Sequence, residues 1–382
     1  MTQTGKCVEP AEPAQVNYEQ LDLLIRKFEN IFYILVPVMA VLISLVVVGI
    51  FIVIQNASPL VAYASLFKSS FGSLYDVSNS LNRAVPLILT GLGIAVAARA
   101  GIMNLGGEGQ IILGGIFATV VAVNLYWLPS ALLIPLSIFA GALGGALWAF
   151  VPGFFYAKHG TNIIITTILL NDIAIGILGM LVKGPMKEAG GYAPQSAVVA
   201  LSAKLPFLID STRLHVGILI AVVLVLLTQV LVFRSSAGHE IRTIGENPNF
   251  ARHSGVNVKT MQIWLMLGAG ALAGVAGSVE ILGSQHRLRS GFLANYGYEA
   301  LAVALLGQKS PIGVLLAGVL FGALKAGRGG MVRAAELPVS FSMVLSGVII
   351  FFVVISPIMM KFPRAIAVRS MNRSRTKSPQ GS

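Results

Sequence analysis

Glu108, Asp172 and Glu299 stand in or beside long apolar runs, in NLGGEGQ (104–110), TTILLNDIAIG (166–176) and YGYEALAVALL (296–306). An ionisable side chain in such a run is costly to hold inside a membrane, so each is a functional candidate. Asn104, Glu108 and Gln110 share their stretch with Gly106, Gly107 and Gly109. Broken backbone at membrane depth is tolerated where it is buried in protein or lines a cavity. The stretch therefore reads either as the wall or gate of a conduit, or as a wetted turn between two spans. In TNIIITTILLND (161–172), Thr167 and Asn171 are four apart and share a helix face. Polar faces of this kind serve as helix–helix glue as well as substrate contacts. Asn104, Glu108, Gln110, Thr166, Asn171, Asp172 and Glu299 are thus the candidates for lining a conduit.

Covalent chemistry finds little support. The chain has no G-x-x-x-x-G-K-[ST] phosphate loop, no H-E-x-x-H and no G-x-S-x-G. His159, His215, His239, His253 and His286 fall in no metal-ligand spacing. The single cysteine, Cys7, lies in a polar tail and cannot form an internal disulfide.

The elements that must position the candidates are membrane helices. Of 382 residues, 55% are hydrophobic and 11% charged, against about 25% charged in a soluble domain. Apolar runs near 31–55, 82–98, 111–127, 131–152, 162–182, 214–233, 261–282, 298–307, 311–327 and 339–360 predict an all-α, polytopic transmembrane helix bundle of about 8–10 spans. The run 298–307 is too short to cross alone; it is a half-helix or one arm of a hairpin turning at GQKSP (307–311). Segments 97–118 and 302–323 both run apolar, break at Gly and polar residues, then resume with small residues. They form a weak internal repeat of interrupted helices, which points to a transport path.

Residues 1–30 contain Glu9, Glu12, Glu19, Asp22 and Glu29, so they form a polar tail and not a signal peptide. The excess of Lys and Arg, including Arg364, Arg369, Arg373, Arg375 and Lys377, puts both termini in the cytoplasm. The net charge of +12 is then explained by anionic lipid and not by nucleic acid. The transmembrane bundle occupies 31–360, with a cytoplasmic loop at 234–260, an external loop at 183–213 and a basic tail at 361–382.

One polar segment interrupts the apolar pattern: RTIGENPNFARHSGV (242–256). Asn247 suits a helix N-cap, Pro248 the first helical position and Gly255 a left-handed end. A helix this short is marginal in water; it must pack on its own bundle or on a partner.

IRTIGENPNFARHSGVNVKT closely resembles the cytoplasmic signature of ABC-transporter permeases of the simple-sugar and nucleoside type. The likeness continues in RAGIMNLGGEGQIILGG, TNIIITTILLNDIA and YGYEALAVALLGQKSPIGVLLAGVLFGAL, in the order expected of the family, across residues 82 to 327. The additional first span is similar to that of the longer of two paired nucleoside-type permeases. Phe250, Ser254, Asp172 and Lys309 depart from the usual pattern. The resemblance implies a permease in a bacterial plasma membrane that moves a nucleoside or simple sugar by alternating access. It implies ABC ATPase subunits inside, a second permease subunit (similar or identical) and an extracytoplasmic substrate-binding protein outside. The chain itself would bind no cofactor, ATP and Mg being used by the ATPase. Gly245, Glu246, Asn247, Pro248, Phe250, Ala251, Arg252 and Gly255 would form the coupling helix. Two rival readings are an ion-gradient carrier, with Glu108 and Asp172 carrying protons, and a scaffold without flux. Branched-chain amino acids are the alternative substrate within the family.

Overall fold

The computed structural model describes residues 36–359 apart from 37, 210 and 339. The tails 1–30 and 361–382, with Cys7, lie outside them. Helices α1 (Val38–Ile54), α2 (Pro59–Phe71), α3 (Leu74–Arg99), α4 (Gly107–Asn124), α5 (Ser130–His159) and α6 (Ile163–Lys183) form the first half. A folded loop leads to α7 (Gly217–Arg234), α8 (Ser236–Glu246) and α9 (Pro248–His253). Then follow α10 (Val258–Glu280) with a π turn (Ile281–Gln285), α11 (Tyr296–Leu306), α12 (Pro311–Ala334) and α13 (Phe341–Met359). Among the described residues the only β pairing is in isolated bridges, and seven helices are long and apolar enough to cross a membrane. The short apolar helices α1, α11 and Met343–Ile355 within α13 fill the other predicted positions.

Two elements escape the hydropathy reading. Helix α2 runs alongside α12, with the Ser70 hydroxyl donating to the Ala323 carbonyl at 2.7 Å. Gly72 ends α2, and Ser73 caps α3 by accepting from the Asp76 amide at 3.1 Å. Both α2 and α3 run antiparallel to α12, since Leu66 meets Gly327 while Ala84 meets Gly322 and Ile88 meets Gly318. The Ser80 hydroxyl of α3 donates back to the Ser70 carbonyl of α2 at 2.9 Å, so the first turns of α3 lie beside the end of α2 rather than continuing it. The second missed element is α8, whose apolar Ile241 and Ile244 sit three apart between polar residues.

The centre is built on small residues. Where α4, α5 and α10 cross, a Cβ on Gly145 would lie 2.8 Å from the Gly274 backbone. Only glycine allows that approach, and dispersion between close backbones drives helix association where lipid removes the hydrophobic force.

The loop after α6 is a folded cap. It is zipped onto the segment after α10: the Ser196 amide donates to the Leu288 carbonyl at 2.8 Å, Val199 to His286 at 3.0 Å and Leu205 to Leu282 at 2.9 Å. Arg287 pairs with Glu188 at 2.6 Å. Asn82 of α3 ties the far end by donating to the Arg213 carbonyl at 2.6 Å. His215 is buried within the cap base. Its Nδ1 accepts from the Gly217 amide at 3.1 Å, and its Nε2 meets the Ser284 hydroxyl at 3.3 Å. Burial, with His286 nearby, pushes the His215 imidazole down to about 4. The neutral form is the one that fits, so between about pH 6.5 and 4 the unfolded cap binds a proton that the folded cap refuses. Cap stability therefore falls as pH drops through that window, by on the order of 3 kcal/mol. Hydrogen exchange of residues 184–216 will show protection flat above pH 7 and falling below it, with the slope reduced in His215→Asn.

Candidate functional site

The polar stretch between α3 and α4 lies deep in the bundle. Helix α3 ends at Arg99, yet Gly107 at the start of α4 packs against Thr90. Nine residues of helix separate those points, roughly 14 Å. After a closing turn in which the Ala100, Gly101 and Ile102 amides donate to the Ala97 and Ala98 carbonyls, the backbone of 103–106 climbs back to mid-depth outside any helix. Helix α11 starts at the same depth, with Gly297 against the backbone of Gly107 and Glu108. Its other end is held by the turn after it: Arg99 Nε donates to the Lys309 carbonyl at 2.7 Å, and Lys309 Nζ to the Ala98 carbonyl at 3.1 Å. Burial, then the nearby Arg99, lowers the Lys309 ammonium below the usual lysine range. Both readings of 298–307 hold: α11 is a half-helix, and it is one arm of a hairpin that turns at 307–310 into α12, with Gly307 packed on Gly313.

The candidate side chains satisfy this broken backbone. Glu108, 4% exposed, accepts from the Asn295 amide at 2.7 Å and from the Gly297 amide at 2.8 Å, one to each carboxylate oxygen. It caps the N-terminus of α11 from α4, where a helix dipole favours negative charge. Asn104 accepts from the Gly106 amide at 2.9 Å and pairs amide-to-amide with Gln110 at 3.1 and 3.2 Å. Asn171, fully buried, accepts from the Gly109 amide at 2.9 Å and donates to the Leu105 carbonyl at 2.9 Å. It thereby fastens α6 to both sides of the break. Thr166 bonds back to the Asn162 carbonyl at 2.6 Å.

Asp172 and Glu299 stand apart from this cluster. Asp172 lies on the exposed face of α6. Glu299, in the first turn of α11, forms a buried ion pair with Lys325 of α12, whose ammonium sits 3.5 Å above the Tyr296 ring. Arg328 is 3.8 Å away, and the Ser346 hydroxyl donates to Glu299 at 3.3 Å. This pair fastens α11 to α12 and α13. Lys325→Met leaves a buried carboxylate short of its closest partner and will destabilise the protein by about 3–5 kcal/mol. Thermal unfolding in detergent will show a large downward shift, with most of it recovered in Glu299→Gln/Lys325→Met.

Sequence reasoning passed over Lys325, Tyr298 and Trp148. The Tyr298 hydroxyl is 3.5 Å from the Asn171 amide, and the Trp148 indole N–H abuts Gly109 with no partner among the described residues. Lys325 carries a signal in hindsight: a lysine in the span GVLFGALKAG requires an acidic neighbour.

The second site is the α8–α9 hairpin at the end of the bundle where α3 finishes. Asn247 caps α9 by accepting from the Asn249 amide at 3.0 Å and the Phe250 amide at 3.1 Å. At the other end Gly255 adopts φ +85°. The Val256 amide donates to the Ala251 carbonyl at 3.0 Å and Gly255 to Arg252 at 3.1 Å, which is a Schellman closure. Ile241, Ile244, Ala251 and Val258 bury themselves in a small separate core with Ala97, Ile102, Ile163 and Met266. Gly245 touches α3 itself: a Cβ there would lie 2.9 Å from the Arg99 carbonyl carbon and closer to its oxygen. Outward, Glu246, Asn247, Pro248, Arg252 and Phe250, the last 61% exposed, form the free tip. The arrangement is a rigid plug seated in the helix ends.

The chain resembles known proteins along most of its length. The family described as "Branched-chain amino acid transport system / permease component" matches residues 77–354. The glucose ABC transporter permease protein TsgB13 of Haloferax volcanii is 36% identical over 341 residues, 87% of this chain and 90% of that protein. The nucleoside ABC transporter permease protein NupB of Lactococcus lactis is 31% identical over 354 residues, 90% of this chain and 97% of that protein. From the same organism, the nucleoside ABC transporter permease protein NupC is 28% identical over 274 residues, 69% of this chain and 86% of that protein. No solved structure matches the chain significantly. With seven helices fit to cross a membrane and a family match over most of its length, the chain is a multi-pass membrane protein and belongs to the branched-chain amino acid transport system permease family.

Proposed function

We propose that this chain is the membrane permease of an ATP-driven importer for a nucleoside or a simple sugar. The observation that carries the reading is the α8–α9 hairpin: its tip is exposed and its base is cemented into a core shared with α3, α5, α6 and α10. A helix of six residues needs such a base to stay folded, and a base shared with the spans is also what would transmit force applied to the tip. ATPase subunits closing on ATP would push the tip, and the shared core would pass the movement to the spans. That places α8, α9 and both termini in the cytoplasm, and the cap after α6 outside, facing a substrate-binding protein. ATP and Mg would be used by the ATPase alone.

NupB and NupC, two permeases of one organism, both resemble this chain, and NupB does so over more of its length. This supports a pairing with a second, non-identical permease. Named substrates of these relatives, glucose and nucleosides, favour a polyhydroxylated cargo over branched-chain amino acids. Substrate would pass the unburied side of α6, with Asp172 and the half-buried Thr166; Asn104, Gln110 and Asn171, buried and engaged at the break, would shape the wall behind it. The carboxylate of Glu108 is engaged by two amides, which does not suit a proton carrier.

The test is uptake of radiolabelled uridine and glucose into proteoliposomes holding the assembled complex. ATP supplied to the ATPase side will drive uptake of one of them, and imposed proton or sodium gradients will not. Gradient-driven uptake without ATP would retire the importer reading in favour of a secondary carrier.

A further inference from the structure

Helix α6 has two unlike faces. Ile163, Thr167, Asn171, Ala174, Leu178 and Val182 form the buried stripe, recurring every three or four residues. Asp172, Gly176 and Gly179 share the opposite face within an arc of about 60°. Asp172 is exposed and pairs with no side chain among the described residues. A Cβ on Gly176 or Gly179 would meet nothing within 4 Å. Asp172 lies nine residues from Ile163 and eleven from Lys183, about 14 and 16 Å along the axis. It is therefore at the middle of the span.

Lipid does not suit this face. A carboxylate at a bilayer centre costs about 3 kcal/mol even on the mildest scale. The outward faces of α5 and α7 offer the contrast. They carry Leu132, Leu136, Phe139 and Leu143, and Leu219, Val223 and Leu227, all apolar and fit for acyl chains. The unpacked side of α6 also carries Ile165, Leu169, Ile175 and Met180, so its polar strip is narrow: Asp172, with the bare backbone of Gly176 and Gly179, is the part that calls for water or polar partners.

Resting on the importer reading, we propose that this face lines a water-filled path between the two permease subunits, and that the Asp172 carboxylate accepts hydrogen bonds from paired hydroxyls of a neutral polyhydroxylated substrate. An ionised carboxylate has acceptors only, so its ligand must bring donors. Two adjacent hydroxyls of a sugar or ribose ring match its two oxygens. The bare backbone at Gly176 and Gly179 leaves room for a flat ring. A neutral diol also binds weakly enough to leave again, as passage requires.

The single native cysteine makes the test clean. In a Cys7→Ser background, Asp172→Cys, Gly176→Cys and the α7 control Leu227→Cys are exposed to a charged, membrane-impermeant thiol reagent in the full assembled complex. The first two will be modified and the control will not. Uridine or glucose, whichever the wild-type complex imports, will then protect Gly176→Cys. Adding Asp172→Ala will raise the concentration needed for protection by roughly 10-fold or more, the worth of a charge-assisted hydrogen bond. Absence of labelling at both positions would overturn the water-filled path. Labelling with protection that ignores Asp172→Ala would overturn the hydroxyl contact, as would preferential protection by a cationic analogue. These readouts are separate from the driving force: a complex that takes up neither probe with ATP fails the importer reading, while labelling still reports the path.

Discussion

Replacing Pro248–Gly255 with a glycine–serine linker of equal length will leave the protein inserted and folded but remove both ATPase co-purification and uptake. The segment contributes one fully buried side chain, Ala251, to the small core at the end of the bundle. The linker therefore sacrifices little burial, while Ile241, Ile244 and Val258 keep the rest of that core closed. What it destroys is shape: the Asn247 cap, the single turn and a half, and the Schellman closure at Gly255. Phe250→Ala separates shape from contact. An exposed aromatic at the centre of a tip is the expected anchor of an interface, and truncating such an anchor costs on the order of 2–4 kcal/mol of affinity, roughly 30- to 1000-fold. Gly255→Pro attacks the closure alone, since proline cannot adopt φ +85° and lacks the N–H that donates to Arg252. Pull-down from detergent-solubilised membranes, with associated ATPase activity assayed, reads all three. Wild-type ATPase recovery and uptake in the linker variant would remove the coupling role from α9.

The architecture was legible in the sequence because lipid imposes a simple rule: apolar length equals span. Asn247, Pro248 and Gly255 were equally legible, because caps and positive-φ positions are local demands written in residue type. Hydropathy misread elements that lie partly along other helices. Helix α2 is short and polar enough to pass for a loop, and α8 is amphipathic and sits outside the apolar runs. The site was half visible. Residue type marked Asn104, Glu108, Gln110 and Asn171 as costly where they stand, yet it could not say what they satisfy. Apart from the Asn104–Gln110 side-chain pair, their partners are backbone amides and carbonyls that any residue supplies, and those are brought near only by the climb of 103–106 and the half-length of α11. Asn171 and Asp172 show the limit most sharply. They are adjacent in sequence, but one is fully buried and the other exposed, because 100° of helix rotation separates their faces.

Glu108→Ala will destabilise the protein more than any other single change at the break. Two amides, of Asn295 and Gly297, donate to the two oxygens of that carboxylate in a buried place that water does not reach. Removing it strands both donors, each at a cost of about 1–3 kcal/mol, and opens a void between α4 and α11. The start of α11 also loses the only described carboxylate that accepts from its first amides. Because Gly297 packs on the α4 backbone, the half-helix will swing rather than relax in place, and the ion pair of Glu299 with Lys325 will be carried with it. Glu108→Gln keeps the volume but presents one acceptor and one amide donor where two acceptors are needed. It will therefore lose about half of the effect, with a smaller drop in melting temperature and partial uptake. A proton carrier would respond the other way: Gln would abolish uptake while leaving melting intact. Thermal unfolding and ATP-driven uptake measured on both variants separate these outcomes, and unchanged melting in Glu108→Ala would remove the capping role.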